Sequence, residues 1–211
     1  QDIEINGEQL ISINVGKKAK DTLSVEVVLD SIAMNNSMMG AMDVGKAKGV
    51  KVSSLIAPSG RVYSTAVPDT GVAADVGDEL ARILPRVAGS LKVGTAWTDT
   101  LTGKRKAQGM DVERTVISSS KVVGDTTIAG EKVWKIERTS EAKMSGSGAT
   151  QGQPISMEGT STGTGFLYVS PKGTFVAADS KDDVKLKVTV IANGMEIGMS
   201  MVNTSKVEKI Q

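Results

Sequence analysis

With 211 residues, 39% of them hydrophobic, the chain is long enough to bury a core, and its 25 basic and 24 acidic residues leave a formal charge of +1, too little of one sign to hold a polyanion or an anionic membrane surface. Only 3% of residues are aromatic, so the stacking platforms of a single-strand binder are missing and no nucleic-acid partner is expected. Cys and His are both absent, which excludes zinc sites built on them, thiol nucleophiles, haem ligation by His and every Ser-His-Asp arrangement, and leaves carboxylates, Lys, Tyr, Ser and Thr as the chemical groups.

The chain begins Gln1-Asp2 without an initiator Met, as expected of a mature exported protein, periplasmic or extracellular, after removal of a signal peptide. No apolar run approaches the roughly 20 residues of a membrane-spanning helix. The 2 Trp, 2 Tyr and 2 Phe are too few for the aromatic girdles of an outer-membrane barrel, so no membrane span is expected. Asp2-Ile3-Glu4-Ile5-Asn6 is a short segment able to add as a strand to a sheet edge.

Further along, Leu23, Val25, Val27 and Leu29 alternate with Ser24, Glu26 and Asp30, which predicts a half-buried strand. Met34, Met38, Met39 and Met42 form a cluster among the 10 methionines. Soft thioethers select Cu(I), so Met-based copper binding is an alternative function, although Met also fills irregular cores without any metal. Gly40 to Lys46 nearly matches a phosphate-cradling loop, but Ala47 stands where a hydroxyl should reach Mg²⁺ and no helical pattern follows.

Leu55 to Tyr63 reads as strand, Pro58-Ser59-Gly60 turn, strand, and the same grammar returns in Tyr168 to Phe175 around Pro171-Lys172-Gly173. One stretch reads as a helix: Asp75 caps it, Val76, Leu80, Ile83 and Leu84 form its apolar face, and Pro85 ends it. Residues 1–211 are thus expected to form a single β-rich domain with two β sub-regions, 1–70 and 91–211, joined by a helix near 75–85.

Strands are expected around Trp97 and, from the alternation of Val112 and Val116 with Glu113 and Thr115, in the segment after it. Ser118 to Lys121 and Ser140 to Lys143 match S-x-x-K, yet the partner motifs of penicillin-recognising enzymes do not occur. Between Met144 and Gly165 the chain turns to Ser, Gly, Thr and Gln, either a flexible loop or two small-residue strands joined near Gln151-Gly152-Gln153-Pro154. Gly159-Thr160-Ser161-Thr162-Gly163 matches G-x-S-x-G, but a nucleophile elbow needs a His base that the chain lacks. Asp179, Asp182 and Asp183 are expected to gather in a short turn, where carboxylates can ligate Ca²⁺.

The sharpest signal closes the chain. Val184, Leu186, Val188 and Val190 alternate with polar residues, Asn193-Gly194 supplies the positive φ angles of a tight primed turn, and Met195, Ile197, Met199 and Met201 share one face of the return strand. A face of Met, Leu, Ile and Val suits a plain core or a pliable cavity for an acyl chain.

The order of these elements, closing on Gly165-Phe-Leu-Tyr-Val-Ser-Pro-Lys-Gly-Thr-Phe-Val, resembles the periplasmic lipoprotein-carrier superfamily and related bacterial secreted β proteins, mainly over Trp97 to Ile210. The resemblance implies a strongly curved, unclosed antiparallel sheet, an open half-barrel with the helix as plug or lid, sheltering acyl chains on its concave face. The leading expectation is a non-enzymatic exported protein that binds a hydrophobic or lipid-like ligand at Met195, Ile197, Met199, Met201, Leu186 and Val188. No catalytic residue, metal or cofactor is expected. The alternative is a structural subunit that self-associates by β-strand addition.

Overall fold

The computed structural model describes residues 5–16, 22–36, 40–41, 49, 51–56, 62–66, 90–107, 110–150, 152–171 and 175–208. The chain divides into two compact units, Gln1–Arg86 and Val87–Gln211, each with its own sheet. The helix expected near 75–85, the Pro58-Ser59-Gly60 turn and Met38, Met39 and Met42 lie outside the described residues.

The first unit holds β1 (Ile5–Val15), β2 (Leu23–Asn36), β3 (Gly40–Ala41), β4 (Lys51–Ile56) and β5 (Val62–Ala66). They form an antiparallel sheet in the order β1-β2-β4-β5, with β3 also on β2. The alternation read in β2 is realised: Val25, Val27 and Leu29 are buried on one face beside Val52 of β4. On the other face Lys51 pairs with Glu26 at 3.6 Å. Leucine, valine and isoleucine at every second position fit the pleat, because successive side chains leave a strand on opposite sides.

The second unit is a six-stranded antiparallel meander of β6 (Ala96–Ala107), β7 (Met110–Ile128), β8 (Glu131–Thr150), β9 (Gln153–Val169), β10 (Phe175–Val190) and β11 (Met195–Glu208). Its order is β11-β10-β9-β8-β7-β6, so among the described residues β6 and β11 are open edges and the sheet does not close on itself. The Ser, Gly and Thr segment from Met144 to Gly165 is therefore strand on both sides of Gly152, the second of the two expected alternatives. Every strand pairs with its neighbour in sequence, which keeps the contacts local and the connections short.

The last hairpin turn departs from expectation. Asn193-Gly194 is not a two-residue primed turn: Val190 pairs with Met195, so Ile191 to Gly194 form a four-residue loop. Gly194 alone there has positive φ, at 68°, and its N–H donates to the Val190 carbonyl at 2.9 Å, while the Asn193 side chain accepts from the Met195 N–H at 3.1 Å. The Asn side chain caps the return strand and its backbone need not turn left-handed. The two-residue turn with positive φ at both positions occurs instead at Ala129 (49°) and Gly130 (80°), between Ile128 and Glu131.

Candidate functional site

Cross-strand partners lie on the same face, so the register fixes which side chains share a surface. One face of the six-stranded sheet, here the inner face, begins as a closed core. Val122, Ile136, Leu167 and Val169 are buried, with Leu91, Trp97, Trp134, Phe175 and Ala178 packed against them. Full burial of each such side chain stabilises by about 1.5–3 kcal/mol.

A polar belt follows, two residues deep along β7 to β11 and one residue deep on β6, where Trp97 closes the second row. The register aligns Asn203, Asp182, Gly163, Ser140, Ser118 and Asp99 in one row and Ser205, Ser180, Gly165, Arg138 and Ser120 in the next. Arg138 Nη2 donates to Ser118 Oγ at 3.1 Å, and the hydroxyls of Ser180 and Ser205 lie 2.9 Å apart. The Asp182 carboxylate lies over Gly163, where a Cβ would also meet Ser140 Oγ at 2.5 Å.

Past the belt the inner face of β10 and β11 is apolar again, and here it opens, while Arg114 of β7 and Ser161 of β9 share the same face further in. Val184, Leu186, Val188 and Val190 of β10 sit opposite Met201, Met199, Ile197 and Met195 of β11. Leu186 and Val188 are half-buried. The β11 side chains stay exposed: Met195 49%, Ile197 44%, Met199 43% and Met201 43%. All six residues singled out by sequence thus share one surface, joined by Val184 and by Met157 and Met144 of β9 and β8. In three rows of β8 and β9 a glycine lies opposite a bulky residue: Gly146 faces Met157, Gly159 faces Met144, and Gly148 faces Ile155. A Cβ at Gly159 would run into the Leu186 side chain and, at 2.9 Å, into both the Lys185 carbonyl and Met144 Cγ. The small residue is required because its neighbours lie over it.

The outer face is charged and wet. Lys187 meets Glu196 at 3.0 Å and Lys104 meets Glu113 at 3.3 Å. The hydrogen bond from Lys187 to Glu196, reinforced by their opposite charges, raises the ammonium pKa above its ordinary value. Near the core end Asp179 accepts from the Phe166 N–H at 3.2 Å and from the Tyr168 hydroxyl at 3.3 Å, and Lys135 Nζ stands 3.9 Å from the Phe166 ring centre. Partial burial, then the Asp179 charge and hydrogen bond, push the Tyr168 phenol up from its ordinary pKa.

Several sequence motifs dissolve on this lattice. Ser118 and Ser140 face each other on the inner side, whereas Lys121 and Lys143, three residues on, lie on the outer side, so neither S-x-x-K brings its Lys to its Ser. Ser161 of G-x-S-x-G is a buried mid-strand residue of β9, with no turn to expose it. The Asp179, Asp182 and Asp183 turn is a stretch of β10 in which Asp182 points inward and the other two outward. Among the described residues no group of three carboxylates could hold a metal ion. Asp99 and Asp182 share a row but sit on β6 and β10, four strand spacings or about 19 Å apart, beyond the separation at which two carboxyls act together on one bond.

Two surface depressions, of about 610 Å³ beside Lys104, Asp111, Glu113, Ser145 and Gly146 and about 330 Å³ beside Trp97, Ser119, Lys121 and Glu137, are lined mainly by outer-face residues. Sequence patterning had no means of finding the polar belt, because Arg138, Ser118 and Asp182 belong to three strands whose register only the pairing reveals. No known protein family, no curated protein and no solved structure matches the chain.

Proposed function

We propose that the protein is a non-catalytic, exported binding protein that holds a hydrophobic or lipid-like ligand along the open apolar strip of β10 and β11. The observation that carries this reading is the exposure of Met195, Ile197, Met199 and Met201 at consecutive inward positions, beside the half-buried Leu186 and Val188. Covering even half of each exposed side chain recovers about 1 kcal/mol apiece. Thioether chains adapt to ligands of varied shape. Met195 to Met201 spans six residue steps, about 20 Å, longer than half of the roughly 30 Å hydrocarbon core of a bilayer, so a long acyl chain fits along it.

The belt of Asp182, Ser180, Asn203 and Ser205 ends the strip and gives an amphiphile's polar end somewhere to lie. The reading takes this face as concave, with Gly146, Gly148, Gly159, Gly163 and Gly165 as the inward positions that relieve crowding in a curved sheet. It is the use to which the lipoprotein-carrier superfamily puts such a face.

Delipidated protein is expected to take up a fluorescent long-chain fatty acid saturably. The pair Met199→Asp and Met201→Asp should weaken uptake at least tenfold, about 1.4 kcal/mol. Absence of uptake at micromolar protein, or equal uptake by the double variant, sinks the reading.

A further inference from the structure

An open sheet edge presents a row of unpaired backbone groups, and proteins guard such edges with charge, proline or bulges. The two edges of the six-stranded sheet differ in this. β6 carries Lys104, Arg105 and Lys106 in succession. β11 has neither proline nor a register shift, and from Ile197 to Ser205 no charge, while its side chains are exposed on both faces from Met195 to Lys206. Its charges stand at the two ends: Glu196 near the start, bound to Lys187, and Lys206 near the finish, 2.7 Å from Glu208.

We propose that β11 pairs antiparallel with β11 of a second copy of this chain, across a two-fold axis at Met201. In this register Met201 faces the partner's Met201, Met199 faces the partner's Asn203, and Glu196 faces the partner's Lys206. An isologous contact repeats each pair, so opposite charges meet twice. On the outer face a row of alternating sign forms, from Lys187 through Glu196 to the partner's Lys206 and Glu208. Moving the axis to Val202 sets Glu196 against the partner's Glu208, and moving it to Ser200 shortens the ladder and leaves Lys206 opposite the partner's Gly194. The Met201 register pairs Met195 through Val207 without opposing like charges. The two apolar strips meet at Met201, and the pairing stands whether or not either strip binds a ligand.

The chain has no Cys, so single cysteines test the register directly. Met201→Cys, opposite itself at a Cα separation of about 4.5–5.5 Å, is expected to oxidise to a disulfide-linked dimer at twice the 22.0 kDa chain mass. Met199→Cys alone lies about 13 Å from its own copy, four residue steps away, and should not. Mixed with Asn203→Cys, it should link to that variant. In analytical ultracentrifugation the unmodified chain should dimerise reversibly. Lys206→Glu should weaken the dimer about tenfold, and adding Glu196→Lys should restore it. A monomer at all concentrations, or crosslinking of Met199→Cys alone as fast as Met201→Cys, overturns the proposal.

Discussion

Near the β7–β8 turn the inner face of the six-stranded sheet carries Val122, Ile136, Leu167 and Val169, none more than 6% exposed. About 30 Å further along the sheet, on its edge strand β11, the same face carries Met195, Ile197, Met199 and Met201, none less than 43% exposed. Both regions alternate apolar and polar residues, and both end in a hairpin. What separates them is position in the sheet. Ile136 is flanked by paired strands on both sides and has Trp97 and Trp134 in its cluster, whereas β11 has one neighbour. Period-two patterning names the apolar face of a strand, and sheet order decides whether that face becomes core or remains surface.

The largest expected effect tests that distinction outright. Ile136→Ala should cost about 3 kcal/mol, through lost transfer energy and the cavity left behind, while Ile197→Ala should cost less than about 1 kcal/mol because its site is already wet. Urea unfolding midpoints measure both. Equal losses would mean that β11 is covered in solution and that the two regions do not differ.

Glycines sharpen the comparison next. A Cβ at Gly165 would collide with the Asp179 carbonyl and come within 2.9 Å of Ser180 Cα, whereas a Cβ at Gly198 on the open edge meets nothing within 4 Å. Gly165→Ala is expected to cost about 1–3 kcal/mol through forced backbone shifts, and Gly198→Ala to stay within about 0.5 kcal/mol of the parent. Thermal melting of the two variants side by side gives the answer.

The smallest effect compares the two hairpin turns. Ala129 is held at a φ of 49°, a conformation that disfavours a Cβ and suits Asn. Ala129→Asn should therefore stabilise by about 0.5–1 kcal/mol. No such gain awaits a change at Asn193, whose φ is not positive and whose side chain already caps Met195. Unfolding free energies from denaturant titration distinguish the two.

Much of the fold was readable from the chain. The alternation of Leu23 to Leu29 and of Val184 to Val190 marked two strands and their buried faces, because period two survives wherever one face is apolar and the other wet. The Pro-x-Gly segments marked hairpin connections whose flanking strands do pair, Ile56 with Val62 and Val169 with Phe175. The segment Met144 to Gly165 stayed ambiguous because its inward residues are largely glycine and serine, and hydropathy carries no signal where a neighbour's side chain supplies the bulk. The six residues of the candidate surface were found by the same alternation, but their exposure was not, since that depends on β11 being last in the sheet. The aspartates of β10 misled because three acidic residues in five read as a turn, while pairing on both sides of the strand overrode that local preference.

The glycine-against-bulk rows of β8 and β9 also bear on how the chain finds its structure. Long strands of serine, threonine and glycine give little to distinguish one alignment from another, and such hairpins are prone to slip. A slip by two residues in one direction would set Gly146 against Gly159 and leave a hole. In the other direction it would set Met144 against Met157 and crowd two thioethers into one gap. Of these three alignments only the native one sets a glycine against a bulky residue in each of the three rows, so the pairing of unlike volumes favours one register in a hairpin whose composition otherwise distinguishes few.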